Sequence, residues 1–290
     1  MNRPRFIVIT PARNEQNNIV HTIRSMAVQS WLPELWIIVD DGSNDTTGSI
    51  IDSASREYPW IRSIHRADRG FRKQGGGVVD TFYDGYDKIG EMPWDFLVKF
   101  DADLSFAPDY FEKCLKQFEQ EPRLGIGGGM ICHPKNGLLV CESPGDPAFH
   151  VRGATKIYRK ECWDTIGGLL RAPGWDTIDE LKANMLGWKT LTFVELPLTH
   201  HRFTGTADGT WRNHVKFGLA NYITGYHPLF MAVKCLLRSV QKPYILGAVG
   251  LWWGFVGGYL RHVPRIDDPE LIRYIRRQQL NKLILKPSLW

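Results

Sequence analysis

Apolar and polar positions along the first 121 residues fall into blocks that predict strands and helices in turn. The stretches 6–10 (FIVIT), 35–39 (LWIIV), 61–65 (IRSIH) and 96–100 (FLVKF) are short, largely apolar and bounded by turn residues, as strands are. Between them, 18–30 places Ile19, Ile23 and Met26 on one helical stripe. The stretches 46–58 and 108–121 also read as helices, and 75–89 as a weaker one that opens on glycine. Strand–helix alternation of this kind needs a mostly parallel sheet with crossover helices, an α/β fold. In such sheets ligands bind beyond the carboxyl ends of the strands. Three polar clusters fall there: 10–15, 40–45 and 101–103.

The second half is less regular. Strands are expected at 125–131, 138–140 and 191–198, a loop rich in Pro and Gly at 141–147, and helices at 158–166 and 178–186. A polar linker at 204–209 puts a boundary near residue 210, giving a catalytic unit over 1–210 and a basic, aromatic helical extension over 211–290. Within the extension, residues 243–260 (PYILGAVGLWWGFVGGYL) carry no charge, which is about the lower length limit of a membrane span. Five glycines and the Trp252-Trp253 pair suit an interfacial or re-entrant segment. Lys234, Arg238 and Lys242 precede it, and Arg261, His262 and Arg265 follow. From Leu229 onward ten Lys/Arg stand against three Asp/Glu, a balance of +7 beside +5 for the whole chain. Contact with an anionic membrane surface therefore ranks ahead of a buried hairpin, and a full span behind both. Nucleic acid is not an expected partner, because the basic excess adjoins a lipid-like segment.

Composition narrows the class. With 43% hydrophobic and 23% charged residues the chain is an ordinary globular one, which excludes disorder, collagen and coiled coil. Five cysteines, odd in number and without a Cys-x-x-Cys pair, support neither a disulfide framework nor a zinc ribbon. The N-terminus lacks a signal-peptide pattern, so a cytoplasmic protein, peripheral on the cytoplasmic face of the membrane, is expected.

Four groups could carry chemistry. Asp101-Ala102-Asp103 sets two carboxylates near one point with Ala102 turned away. Such a pair needs a cation, and oxygen ligands suit Mg2+ or Mn2+. As a plain alternative, the tripeptide is a turn and helix start with Asp103 as the cap. Asp40 and Asp41 end an apolar strand where a carboxylate can accept the N–H of a nucleobase; Ser43 or Asp45 would alternatively cap the next helix. In 174–180 (GWDTIDE), Thr177 and Glu180 fit a capping box that leaves Asp176 outside the helix, free to face a cleft. The competing arrangement makes Asp176 the cap and Asp179 its partner. His200 and His201 point to opposite faces of a strand, so at most one joins a site. No phosphate loop, nucleophile elbow or His-Glu-x-x-His pair appears.

Taken in order, 10–15 (TPARNE), 40–46 (DDGSNDT) and 101–108 (DADLSFAP) resemble glycosyltransferase family 2, which has the GT-A nucleotide-diphospho-sugar transferase fold. The third stretch is particularly similar to polyprenol-phosphate sugar synthases, and the likeness spans about residues 5–203. The resemblance implies a nucleotide-sugar site made by Pro11, Arg13, Glu15, Asp40, Asp41, Asp101, Ala102 and Asp103. It implies metal ligation by Asp103 and Asp101, with His200 (runner-up His201), and Asp176 (runner-up Asp179) as catalytic carboxylate. It implies an inverting, Mg2+- or Mn2+-dependent hexosyl transfer from a nucleotide-diphosphate sugar to a hydroxyl on a lipid-linked or glycan acceptor. A polyprenyl-phosphate sugar synthase and a catalytically silent nucleotide-sugar-binding module are the alternatives. The usual Glu-Asp pair is here Trp175-Asp176, and no Gln-x-x-Arg-Trp motif is present, which argues against processive polymerisation.

Overall fold

Strands β1 (Phe6–Ala12), β2 (Leu35–Asp40) and β4 (Phe96–Phe100) are apolar on both faces, so each must be covered on both sides. The computed structural model, which describes residues 3–68, 70, 76–135, 137–202 and 209–290, shows how. Alternate residues go to opposite layers. Phe6, Val8, Trp36, Ile38, Phe96 and Val98 face helices α1 (Ile19–Ala27), α2 (Thr47–Glu57) and α4 (Tyr110–Gln120). Ile7, Ile9, Ile37, Val39 and Leu97 face α3 (Gly77–Tyr86) and α5 (Lys160–Ile166). With β3 (Ile61–His65) the order β3-β2-β1-β4 is parallel throughout.

Beyond β4 the sheet becomes mixed, which corrects the expectation of a mostly parallel one. β8 (Thr155–Arg159) lies antiparallel between β4 and the long β6 (Leu124–Lys135). β9 (Lys189–His200) runs parallel to β6 and antiparallel to the two-residue β5 (Leu104–Ser105), while β7 (Leu138–Cys141) pairs β6 as a hairpin. The helix expected at 158–166 begins only at Lys160; Tyr158 belongs to β8. Its strand is hard to read because Thr155, Lys156 and Arg159 leave only Ile157 and Tyr158 apolar.

The C-terminal residues form α7 (Thr210–Ile223), α8 (Pro228–Arg238), α9 (Ile245–Leu260) and α10 (Pro269–Leu283). Their buried face, including Tyr222, Met231, Leu251, Phe255 and Ile275, shares one core with Phe149 and with Ile178 and Leu181 of α6 (Trp175–Met185). The glycines of α9 serve this packing. A methyl at Gly254 would collide with the Val215 carbonyl, and one at Gly218 of α7 with the Leu251 carbonyl, so the two backbones touch. Residues 245–260 of the segment are thus one ordered helix packed on α7. Among the described residues no helix is long and apolar enough to cross a membrane. Residues 203–208 of the expected linker lie outside the described residues.

Candidate active site

The carboxyl ends of β1 and β2 are tied together by their own turn residues. The Asn14 amide donates to Ser43 Oγ (2.9 Å), the Asn44 amide to Asn14 Oδ1 (3.0 Å) and the Glu15 amide to Thr47 Oγ1 (2.8 Å). Asp45, and not Ser43, accepts the first helical amide, that of Thr47, at 2.9 Å. Gly42 has φ 69° and a Cβ there would lie 2.5 Å from Asp68 Cα, so only glycine fits this approach. The two acids part company here. Asp40 accepts the Ser43 amide (2.9 Å) and lies 3.2 Å from His65 Nδ1, which commits it to the turn. Asp41 pairs with Arg66 Nη1 at 2.7 Å. Arg13 donates to the Asp41 carbonyl (2.6 Å) and to Asp68 (2.7 Å), bracing the same corner, with Pro11 half-buried on β1 beside it.

Asp101, Ala102 and Asp103 follow β4, and Ala102 packs into the core as its neighbours' opposite orientation requires. Asp101 is held by Lys99 Nζ. Asp103 is 3% exposed and meets His200 Nε2 at 3.2 Å. This pairing is made by sheet register: β5 sets Leu104 opposite His200, and the His201 amide donates to the Asp103 carbonyl (2.9 Å). His200 Nδ1 lies 2.8 Å from Glu142 Oε1. Burial alone would lower the His200 pKa, but the hydrogen bonds to Asp103 and Glu142 push it up to about 10. Burial opposes ionisation of Asp103, yet His200, Arg202 and Lys99 hold its carboxyl below the usual range. Glu15, 4% exposed, pairs with Arg202, whose Nε is 3.5 Å from Asp103; burial pushes the Glu15 carboxyl up. His201, the runner-up, instead stacks on His21 (4.3 Å) with Nε2 at 2.7 Å from Ser105 Oγ.

Helix α6 starts three residues earlier than expected, at Trp175 after Gly174 (φ 84°), so the capping box does not form. Glu180 is unavailable for it: its carboxylate accepts the Val151 amide (2.7 Å) and meets His150 (2.8 Å) and Lys156 (2.8 Å). Asp176 therefore sits in the first turn, half-buried, and no side-chain hydrogen bond engages its carboxylate among the described residues. The Trp175 ring centroid is 5.5 Å from Lys99 Nζ and 5.6 Å from Lys156 Nζ, which draws this helix start to the sheet end that carries Asp101. Asp179, the alternative, is engaged by buried partners. It is 3% exposed, both its oxygens are within 2.9 Å of Lys156 Nζ, and Tyr158 donates to it at 2.6 Å. Lys99, Glu142, Lys156 and Arg202 escaped the sequence reading. A lysine inside each apolar strand was the available signal for two of them.

Beside Glu142 a cavity of about 190 Å³ opens, lined by Met130, Ile131, Val194, Asp146, His150 and Arg152 among others. No three His, Cys, Asp or Glu side chains among the described residues converge as a ready metal cluster. Asp103 and His200 nonetheless make a donor pair of the kind Mn2+ or Mg2+ accepts, and a bound diphosphate supplies further oxygens. The residues present fit such an ion.

Comparison with known proteins agrees with this architecture. The Glycosyl transferase family 2 family matches residues 7–79. Polyprenol monophosphomannose synthase of Mycolicibacterium smegmatis is 30% identical over 129 residues, 44% of this chain and 46% of that protein. Beta-monoglucosyldiacylglycerol synthase of Synechocystis is 21% identical over 240 residues, 76% of this chain and 48% of that one. The chain thus spans about half the length of these relatives. Among solved structures, a mannosyltransferase from Pyrobaculum calidifontis in complex with GDP-Man and Mn2+ superposes with TM-score 0.57 at 19% identity, covering 99% of this chain and 77% of that one. TarS 1-349 of S. aureus in complex with UDP-GlcNAc gives TM-score 0.53 at 15% identity, covering 93% and 79%. This chain shares their GT-A fold.

Proposed function

We propose that this chain, whose residues 7–79 match glycosyl transferase family 2, moves a sugar from a nucleotide-diphosphate donor to an acceptor hydroxyl with inversion at the anomeric carbon. The observation that carries this reading is the Asp176 carboxylate, unengaged at the start of α6 and drawn toward Asp101 through Trp175 and Lys99. The acceptor oxygen attacks the anomeric carbon from the face opposite the diphosphate. Its proton passes to Asp176, and the bond to the diphosphate breaks with the electron pair leaving on oxygen. Asp41 and the Pro11–Glu15 turn receive the nucleoside, and Arg13 braces that corner. Asp101, Asp103 and His200 face the diphosphate, Asp103 and His200 being the residues that would hold Mg2+ or Mn2+. When bound, the ion supplies neutralisation of the departing diphosphate.

The acceptor in this reading is lipid-linked and met at the cytoplasmic membrane face. Ile245, Leu246, Val249, Trp252 and Trp253 form an exposed stripe on α9, continuous with exposed Leu236, Leu237 and Val240 of the α8 end, beside exposed Lys242 and Arg261. An apolar face flanked by cations suits an anionic bilayer surface. Relatives named for lipid-phosphate acceptors, such as the undecaprenyl-phosphate mannosyltransferase of Micrococcus luteus, 28% identical over 142 residues, favour a second reading in which the acceptor is a polyprenyl phosphate. That acceptor is already ionised and needs no base. Asp176→Asn separates the two. Asn keeps the shape and removes the basic lone pair, so turnover with a hydroxyl acceptor falls about 10²–10⁴-fold at little change in donor affinity. A screen of nucleotide sugars with Mn2+ or Mg2+, scored by diphosphate release, identifies the donor. Near-normal turnover of Asp176→Asn would support the phosphate acceptor instead.

A further inference from the structure

Glu142 carries no motif and lies 58 residues before His200, yet its side chain is 3% exposed and its Oε1 is 2.8 Å from His200 Nδ1. The backbone fixes it there. β6 and β7 pair as far as Cys132 opposite Cys141, and the Glu142 amide then donates to the Ile131 carbonyl at 3.0 Å. Its second oxygen lies 3.6 Å from Arg152 Nη2, and Arg152 Nη1 is itself held by Ser143 Oγ at 2.6 Å. The carboxylate is therefore aimed at the imidazole from a rigid hairpin end rather than from a mobile loop side chain.

A neutral histidine carries its proton on one ring nitrogen and a lone pair on the other. Without a cation both ring nitrogens face carboxylates, and Nε2 donates toward Asp103 Oδ2 at 3.2 Å. Were a divalent ion to displace that proton, the carboxylate at Nδ1 would keep the remaining one there and leave the lone pair on Nε2. With no acceptor at Nδ1 the opposite tautomer becomes accessible. It presents an N–H donor to the space beside Asp103 and has nothing there to offer a cation.

We propose that Glu142 is a positioning residue: it fixes the His200 ring and tautomer so that Nε2, together with Asp103, forms the protein's share of a divalent-cation site. This rests on the reading above that Asp103 and His200 hold the metal. It assigns to the β6–β7 hairpin a part in metal affinity that nothing in its sequence announces. Loss of a carboxylate behind a ligating histidine typically costs 10–100-fold in metal affinity.

The test is Mn2+ binding, read by electron paramagnetic resonance of the free ion, with the full chain in saturating UDP or GDP. Glu142→Ala should weaken Mn2+ by about 10–100-fold in protein that circular dichroism shows to be folded at the assay temperature, and His201→Ala should bind as wild type. If His200→Ala weakens Mn2+ but Glu142→Ala does not, Glu142 has no such part, and the metal reading survives without it. If His200→Ala itself binds Mn2+ like the wild type, the metal reading fails and takes the proposal with it. Should Glu142→Ala not fold, nitrogen chemical shifts of the Mg2+- and nucleotide-loaded wild type decide: His200 protonated at Nδ1 supports the proposal, and protonation at Nε2 overturns it.

Discussion

Removing Lys156 should cost the fold far more than an exposed lysine would. Its ammonium is fully buried within 2.9 Å of Asp179 and Glu180, and it donates to the Asp176 carbonyl. In Lys156→Met the stem volume survives and the cation is gone. Glu180 keeps the Val151 amide and His150 as partners. Asp179 keeps only Tyr158 and the Glu180 amide against its burial. Burial already raises Asp179 to about 6 with Lys156 opposing; without the cation the folded state holds it protonated at pH 7. Against a neutral isostere, protonating at pH 7 a carboxyl whose unfolded pKa is ~3.9 costs about 4 kcal/mol. The wild type, with Asp179 at about 6, already bears about 3 kcal/mol of this, so Asp179 adds about 1.4 kcal/mol. The lost pair with Glu180 carries the deficit toward the roughly 3–5 kcal/mol typical of breaking a buried pair. The cost also depends on pH. Above pH 6 the wild-type Asp179 is ionised in both states, whereas the variant binds a proton only when folded. The deficit should therefore widen by up to ~1.4 kcal/mol per pH unit above pH 6. Urea unfolding at pH 6, 7 and 8 measures it, and Lys156→Met combined with Asp179→Asn should recover more than half. A deficit under about 1 kcal/mol, or one that narrows as pH rises, would refute this account of the cluster.

Three further outcomes are expected from the same structure. In Gly153→Ala the new methyl meets the Trp175 ring at 3.0–3.1 Å and Asp176 Cβ at 3.2 Å; displacing the carboxylate this way should lower turnover by roughly 10² while unfolding midpoints move little, as steady-state kinetics and urea curves would show. Replacing Ile245, Leu246 and Trp253 together by Ser should weaken co-sedimentation with anionic liposomes at low salt by more than roughly 10²-fold, and an unchanged pellet would exclude the α9 stripe as the contact. His150 is lowered by burial but raised further by Glu180, with Asp176 raising and Lys156 lowering it, so its folded pKa lies above the unfolded value of ~6.5. Its contribution is full below that pH and is lost as pH rises through the folded pKa, so the stability gap between wild type and His150→Gln should shrink from pH 6 to 9 in urea unfolding.

The parallel half of the fold was legible because β1, β2 and β4 are buried on both faces and read as largely apolar runs between turn residues, while the edge strand β3 keeps apolar Ile61 and Ile64 within a turn-bounded stretch. β3, β4 and the carboxyl-end clusters fall where the pattern puts them. β8 was not legible, since Thr155 and Lys156 break the run and their burial depends on partners 20 or more residues away. The start of α6 was misplaced for a related reason. Thr177 and Glu180 mimic a capping box, but Glu180 is recruited by Val151, His150 and Lys156, none of which local spacing can reveal. The glycines of 243–260 likewise had two readings, and the close approach of α7 to α9 that they serve cannot be seen in local spacing. In the site, the pairing of Asp103 with His200 depends on the two-residue β5 meeting the end of β9, a contact made by register and not by sequence distance.

One contact explains why the carboxylate at α6 needs so much buried charge around it. In the β4–β8 register Lys99 is the cross-strand partner of Lys156, so two lysines project from the same face of adjacent strands, each 3% exposed or less. Like charges directly opposite destabilise a sheet, and burial aggravates the repulsion. Each cation is therefore matched separately, Lys99 by Asp101 and Lys156 by Asp179 and Glu180, while the Trp175 ring lies within 5.6 Å of both. Asp101 follows β4, and Trp175, Asp179 and Glu180 belong to α6. Satisfying two otherwise intolerable lysines thus forces the strand end and the helix start together. Asp176, next to Trp175, has its backbone carbonyl bound to Lys156 and its carboxylate left over. The side chain best placed to take a proton is the one acid of that helix turn that the lysines do not consume.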